Sequence, residues 1–163
     1  MAIAKTLTSY LKERGIDYET VKHDHTPTAA ASAHAAHLPA HQVAKAVVLR
    51  DEGGYVLGVV PANHDVELDW VNEALGRKLE LACEDEFKKL FADCETGAVP
   101  ALGEAYGLKV IWDDELAYTA DVYIEAGDHE HLIWLERREF RKLMQDLPHS
   151  IISKDEEVGS WKY

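Results

Sequence analysis

Between residues 43 and 60 the chain carries two apolar runs, Val43-Ala44-Lys45-Ala46-Val47-Val48-Leu49 and residues 55–60, around the turn residues Asp51-Glu52-Gly53-Gly54. Runs of this length bounded by turn residues form strands rather than helices. The spacing predicts a hairpin covered on both faces. One residue breaks the pattern. Lys45 stands inside the first run, where an ammonium group either reaches water at a strand end or meets an anionic partner, because unpaired burial is costly. The sequence leaves both open.

Around this hairpin the periodicities alternate between helix and strand. Ile3, Leu7, Tyr10 and Leu11 share one helical face, and Gly15 stands where a C-terminal cap belongs. Residues 16–22 alternate as a half-buried strand does. Thr26-Pro27 reads as an N-cap with a first-turn proline, opening an alanine-rich helix to about residue 37. Helices are expected over 69–75, 84–91 and 138–147, strands over 78–82 and 109–112, and a second hairpin over 121–126 and 131–136. Helices packed on a mixed sheet follow from that order, an α/β (α+β) class. A single domain over 1–148 is expected, with a loosely held tail over 149–163.

Composition narrows the function classes. The chain has 163 residues, 17 Lys and Arg against 30 Asp and Glu, and a net charge of −13. Residues 83–163 hold 9 of the basic and 19 of the acidic side chains. A protein that grips duplex DNA with a broad basic face is unexpected, since phosphate neutralisation supplies most nonspecific affinity. No apolar run approaches the ~18 residues of a membrane span, and residues 1–14 lack the pattern of a signal peptide. Two cysteines, Cys83 and Cys94, form neither a zinc pattern nor a disulfide framework. A reducing cytoplasm is the simplest compartment.

Chemistry-bearing residues are few. Gly97-Ala98-Val99-Pro100-Ala101-Leu102-Gly103 falls between predicted helix and strand. Its glycines can turn backbone N–H groups toward a carbonyl or phosphate while proline fixes the shape; an ordinary irregular connection is the competing reading. No nucleotide-binding glycine pattern and no Gly-x-Ser-x-Gly elbow occurs. His34 and His37 lie on one predicted helix, and the pairs His23/His25 and His129/His131 are two apart, but nothing brings three ligands to one point. No metal and no cofactor are expected. Cys94 reads as a packing residue, and Glu84-Asp85-Glu86 as helix-start charges.

Three segments in order, residues 42–49, 97–103 and Ile124-Glu125-Ala126-Gly127-Asp128-His129, resemble the YbaK/prolyl-tRNA synthetase-associated editing domains. The resemblance runs to about residue 147. It implies an α/β domain on a mixed, partly closed sheet and an aminoacyl-tRNA deacylase that hydrolyses the ester of a mischarged tRNA, with the tRNA CCA end as partner and a synthetase as a possible second one. By that resemblance Lys45 helps hold the terminal adenosine. Gly97, Pro100 and Gly103 belong to the loop around the ester carbonyl, and Val99, Gly127 and His129 bound the substrate pocket. It further implies substrate-assisted chemistry, in which a ribose hydroxyl takes part and no protein nucleophile is needed. The loop departs from many relatives in having Ala101 after Pro100. The competing class is a non-catalytic module that binds an aminoacyl or nucleotide-like ligand, or a partner protein, through the same pocket.

Overall fold

The computed structural model describes residues 2–156. Its first half contains α1 (Lys5–Glu13), β1 (Glu19–Lys22), α2 (Ala29–Ala35), β2 (Val43–Asp51), β3 (Gly54–Pro61), β4 (His64–Val66) and α3 (Leu68–Leu75). There follow β5 (Glu80–Leu81), α4 (Glu84–Phe87), β6 (Lys109–Asp113), β7 (Asp121–Glu125), β8 (His131–Glu136), α5 (Arg137–Met144), β9 (His149–Ser150) and β10 (Ser153–Asp155). The two apolar runs form β2 and β3, paired from Ala44–Pro61 to Asp51–Gly54. They are the centre of a mixed sheet in the order β1-β8-β7-β2-β3-β6-β9, with β5 added to β2. The β2–β7, β3–β6 and β6–β9 pairs are parallel. The mixed sheet packed by helices is the class the sequence predicts, and its path is mostly open.

Alternation along the strands divides the core between two faces. Ala44, Val48, Leu57, Val59, Val122, Ile124, Ile133 and Leu135 face one side, where Leu7 and Leu11 of α1 and Phe140 and Met144 of α5 cover them. Full burial of each large side chain stabilises the fold by roughly 1.5–3 kcal/mol. The opposite side is split. Leu49, Val56 and Val60 pack with Val71 of α3 and with Ile152, while Val43 and Leu132 pack with Ala33 of α2. Lys45 occurs between Val43 and Leu49 on this divided side, so the seam between two apolar clusters is where its ammonium group lies.

Three elements differ from expectation. The cap of α2 is Thr28, whose hydroxyl accepts from Ala31 N–H at 3.1 Å, because the Thr26 hydroxyl is engaged with Ser32 at 2.6 Å. The helix expected over 84–91 is α-helical only to Phe87 and continues as a 3-10 turn to Phe91. The tail expected to be loosely held is ordered over its described part. β9 pairs with β6, and β10 with β4. Asp113, fully buried, fixes it: its carboxylate accepts from Ile152 N–H at 2.9 Å and Ser153 Oγ–H at 2.6 Å. Residues 157–163 lie outside the described residues.

Candidate functional site

β2 meets β7 only at Val43–Tyr123 and Ala44–Ile124, and β5 only at Leu49–Leu81 and Arg50–Glu80. Between those contacts the edge over residues 45–48 has no strand partner among the described residues; Val48 C=O accepts from Ala82 N–H at 3.0 Å. Carrying the parallel register one step further sets Lys45 level with Glu125 and Ala46 level with Ala126, where β7 ends and the chain turns. The open edge of β2 therefore abuts the turn over residues 126–130. Lys45 itself is directed to the C-terminal segment, with Nζ 3.7 Å from Glu156 Oε1 and about a quarter of its side chain exposed (24%).

That turn is clamped from three directions. Ala4 N–H donates to Ala126 C=O at 2.9 Å and Glu95 N–H to Gly127 C=O at 2.8 Å. Glu125 Oε1, on a carboxylate 8% exposed, accepts from Gly127 N–H and His129 N–H at 3.1 and 3.0 Å. Asp128 is fully buried and accepts from the N–H groups of Glu130 and His131, at 3.0 and 2.9 Å, and from His131 Nδ1 at 2.6 Å. Burial pushes the Asp128 pKa up, but these donors outweigh it and hold the carboxyl below its ordinary value. A lowered folded pKa adds stability in full above the unfolded carboxylate pKa, lost as pH falls through the lowered value. An Asp128→Asn variant is thus expected to show a shallower loss of stability below about pH 4 than the wild type, read by thermal melts against pH.

His129 and Gly97 bring the turn and the glycine–proline loop together. His129 is a non-glycine residue in the left-handed region, φ +61°, and is 7% exposed. Its Nε2 lies 2.9 Å from Thr96 C=O. A carbonyl only accepts, so Nε2 carries the proton. Gly97 has φ +84°, and a Cβ there would stand 3.2 Å from Glu84 Oε1 and 3.8 Å from the His129 ring. The His25 ring packs edge-on to His129 at 5.3 Å, and His25 Nε2 reaches Glu95 Oε1 at 3.4 Å. The backbone N–H groups of Gly97 and Val99 donate to no acceptor among the described residues. Both lie at positions solvent can reach, so these donors are available to an anionic or carbonyl oxygen.

The seven candidate residues divide in the structure. Gly97, Gly127 and His129 are in one cluster, Val99 is half-buried beside it, and Lys45 is level with the cluster by register. Pro100 is buried and shapes the loop from below. Gly103 departs from expectation. A Cβ on it would stand 2.8 Å from Val110 Cγ2 and 3.1 Å from Leu57 Cδ2. Its absent side chain lets the loop close onto β3 and β6, and its place is in the core, away from the cluster. Glu125 had no role in the sequence reading; the available signal was an acidic residue near the end of the apolar strand 122–126, two residues before Gly127. Glu84, read as a helix-start charge, is in the first turn of α4.

Among the described residues no group of three or more His, Cys, Asp or Glu is arranged to hold a metal ion. The Cys94 thiol is pushed up to about 12, chiefly by burial, and touches Tyr106 Oη at 3.3 Å. A thiol at that pKa supplies no thiolate near neutrality. Cys94→Ala is expected to cost on the order of 1 kcal/mol of stability, checked by thermal melts.

A model of the aminoacyl-tRNA editing domain family matches residues 23–143. The chain belongs to that family. Two solved structures share the editing-domain fold. One is called a "putative trans-editing enzyme for prolyl tRNA synthetase", with 22% identity, a TM-score of 0.80, and 92% of this chain and 96% of that chain covered. The other is the "hypothetical protein APE2540", with 21% identity, a TM-score of 0.79, and 92% and 100% covered. Among curated proteins none matches this chain. An editing domain binds aminoacyl-tRNA. Among the described residues no helix is long and apolar enough to cross a membrane.

Proposed function

We propose that this editing domain acts free-standing, in trans, as a deacylase that hydrolyses the ester joining a small mischarged amino acid to the 3′ end of a tRNA, in the cytoplasm. The observation that carries the reading is the open edge of β2, where Lys45 is level with Glu125 at the start of the clamped turn, and where His129 of that turn meets the loop whose Gly97 and Val99 N–H groups have no acceptor among the described residues. Water adds to the ester carbonyl, the carbonyl oxygen takes up negative charge, and the C–O bond to the ribose then breaks as that ribose oxygen gains a proton. Backbone N–H groups fixed before reaction stabilise the developing oxyanion without reorganisation. Lys45 supplies a cation for the phosphate of the terminal adenosine. An aminoacyl ester is already activated, so positioning and these donors suffice without a protein nucleophile or a metal.

The trans-editing description of one structural relative makes alanyl- and cysteinyl-tRNA for proline the first esters to try. A synthetase pocket separates side chains differing by one methylene by only about 1–3 kcal/mol, so a second sieve has work to do. The His129 ring, held by Thr96, walls that sieve. His129→Ala is expected to widen the set of esters cleaved while the best substrate slows less than about tenfold; a panel of charged tRNAs reads it.

The acidic surface, −13 overall, favours the second reading, a binding module without turnover. Substoichiometric protein separates the two. Many moles of amino acid released per mole of protein, with KM rising with salt, support the deacylase. Stoichiometric protection of the ester without release would replace it with the module.

A further inference from the structure

α5 concentrates positive charge in an otherwise acidic chain. Arg137, Arg138, Arg141 and Lys142 are four of the chain's 17 basic residues, within six positions. With Ala120, Asp121 and Glu136 they line a depression of about 720 Å³ between α5 and the start of β7, where cations outnumber carboxylates by two. Arg137 Nε and Nη2 donate to the carbonyls of Thr119 and Tyr118 at 3.0 Å each, and Arg141 Nη2 reaches Ala117 C=O at 3.4 Å. Neither guanidinium forms an ion pair among the described residues. Arg138, three-quarters exposed, has carboxylates only at 3.7 and 3.8 Å. Tyr118, 74% exposed, is tied to this face through its carbonyl, which accepts from Arg137.

A merely solvated helix face is built differently. Arg137/Arg141 and Arg138/Lys142 are both i,i+4 pairs of like charge, which destabilise a helix. Arg137 and Arg138 also occupy the first turn, where the helix dipole disfavours cations. Guanidiniums fixed on backbone carbonyls keep most of their five N–H donors free in a set orientation. That arrangement fits phosphate. The depression adjoins Asp121, at one end of β7, and the clamped turn begins at Ala126, at the other. Five residues of strand separate them by about 17 Å, a span for the unpaired 3′ end of a tRNA whose paired stem lies farther out.

We propose that the α5 face, with the neighbouring exposed Tyr118, binds the sugar–phosphate backbone of the acceptor stem of the tRNA whose 3′ end enters the open β2 edge. The inference rests on the deacylase reading for the identity of the RNA. The cations give affinity without reading sequence, and the Tyr118 ring offers a stacking surface at the stem terminus.

The test uses a fluorescent acceptor-stem RNA hairpin ending in CCA, and the same hairpin and a stemless aminoacyl-CCA ester as substrates. The double variant R138E/R141E is expected to bind the hairpin at least about tenfold more weakly, with the slope of log K against log salt reduced by about 1.5. R138K/R141K retains most of the affinity, and Y118A loses roughly fivefold. KM for the aminoacylated hairpin rises in R138E/R141E with kcat unchanged, and hydrolysis of the stemless ester is unaffected. R138E alone, altering only an exposed side chain, shows the same trend if the double variant folds poorly. Unchanged hairpin affinity would overturn the proposal, as would equal loss on the stemless ester, which would place the effect in the hydrolytic site. If the wild type cleaves neither ester, the deacylase reading fails on its own. The hairpin-binding comparison still decides the surface.

Discussion

Lys45→Ala is expected to lower ester hydrolysis by about ten- to a hundredfold, the scale of losing one charged contact that positions the terminal adenosine, and to leave the fold intact. The two halves have separate causes. Lys45 lies on the seam between two apolar clusters and is level with the Glu125–Ala126 end of β7. Its one ion pair among the described residues, to Glu156 at 3.7 Å, is partly exposed on both sides and of a kind worth about 0–1 kcal/mol. The melting temperature and far-UV spectrum of the variant therefore stay close to wild type while single-turnover release of the amino acid collapses. Lys45→Arg, which keeps charge but changes geometry, should recover part of the rate. A fully active Lys45→Ala protein would remove Lys45 from the site.

The largest effect on stability belongs to Gly127→Ala. Gly127 has φ +105°, a region side chains rarely adopt, and an added Cβ would stand 2.9 Å from Ala4 Cβ and 3.1 Å from Cys94 Sγ. Ala4 cannot recede, because its N–H is bonded to Ala126 C=O at 2.9 Å. Strain and overpacking together cost about 3 kcal/mol, a fall in Tm of about 6–12 °C for a chain of this size. Hydrolysis falls with it, since the turn carries His129. Gly97→Ala makes the informative contrast. Its φ of +84° is also strained, but the nearest atom is the mobile Glu84 carboxylate at 3.2 Å. It should cost less stability, about 1 kcal/mol, and still slow hydrolysis by moving the loop N–H groups. Calorimetry and rates on the two variants check the ordering, and a Gly127→Ala protein melting within about 2 °C of wild type would contradict it.

What the sequence made legible is what periodicity controls. The β2–β3 hairpin, α1 with its Gly15 stop, the Gly76 cap of α3 and the β7–β8 hairpin all follow from apolar spacing and turn residues. The ordered segment after Pro148 did not, because strands of two and three residues have no period. Its hold comes from Asp113, some forty residues away in sequence. The site was legible in part. Gly97 and Gly127 announced backbone turns, and both have positive φ. Pairings that depend on tertiary closure were not readable, among them His129 on the Thr96 carbonyl and Glu125 on the turn N–H groups. Gly103 shows the limit from the other side: a glycine in a loop can serve packing against Leu57 and Val110 as readily as chemistry.

The placement of the site at the open edge of β2 is tested most directly by amide chemical shifts of the labelled protein titrated with a non-hydrolysable amide analogue of alanyl-adenosine. The expected result is a cluster of shifts at Ala46, Val47, Gly97, Val99, Gly127 and His129, with a separate depression, lined by Val56, Leu75, Leu108 and Leu147, unperturbed. Shifts confined to that depression, or spread over the surface without saturation, would contradict it.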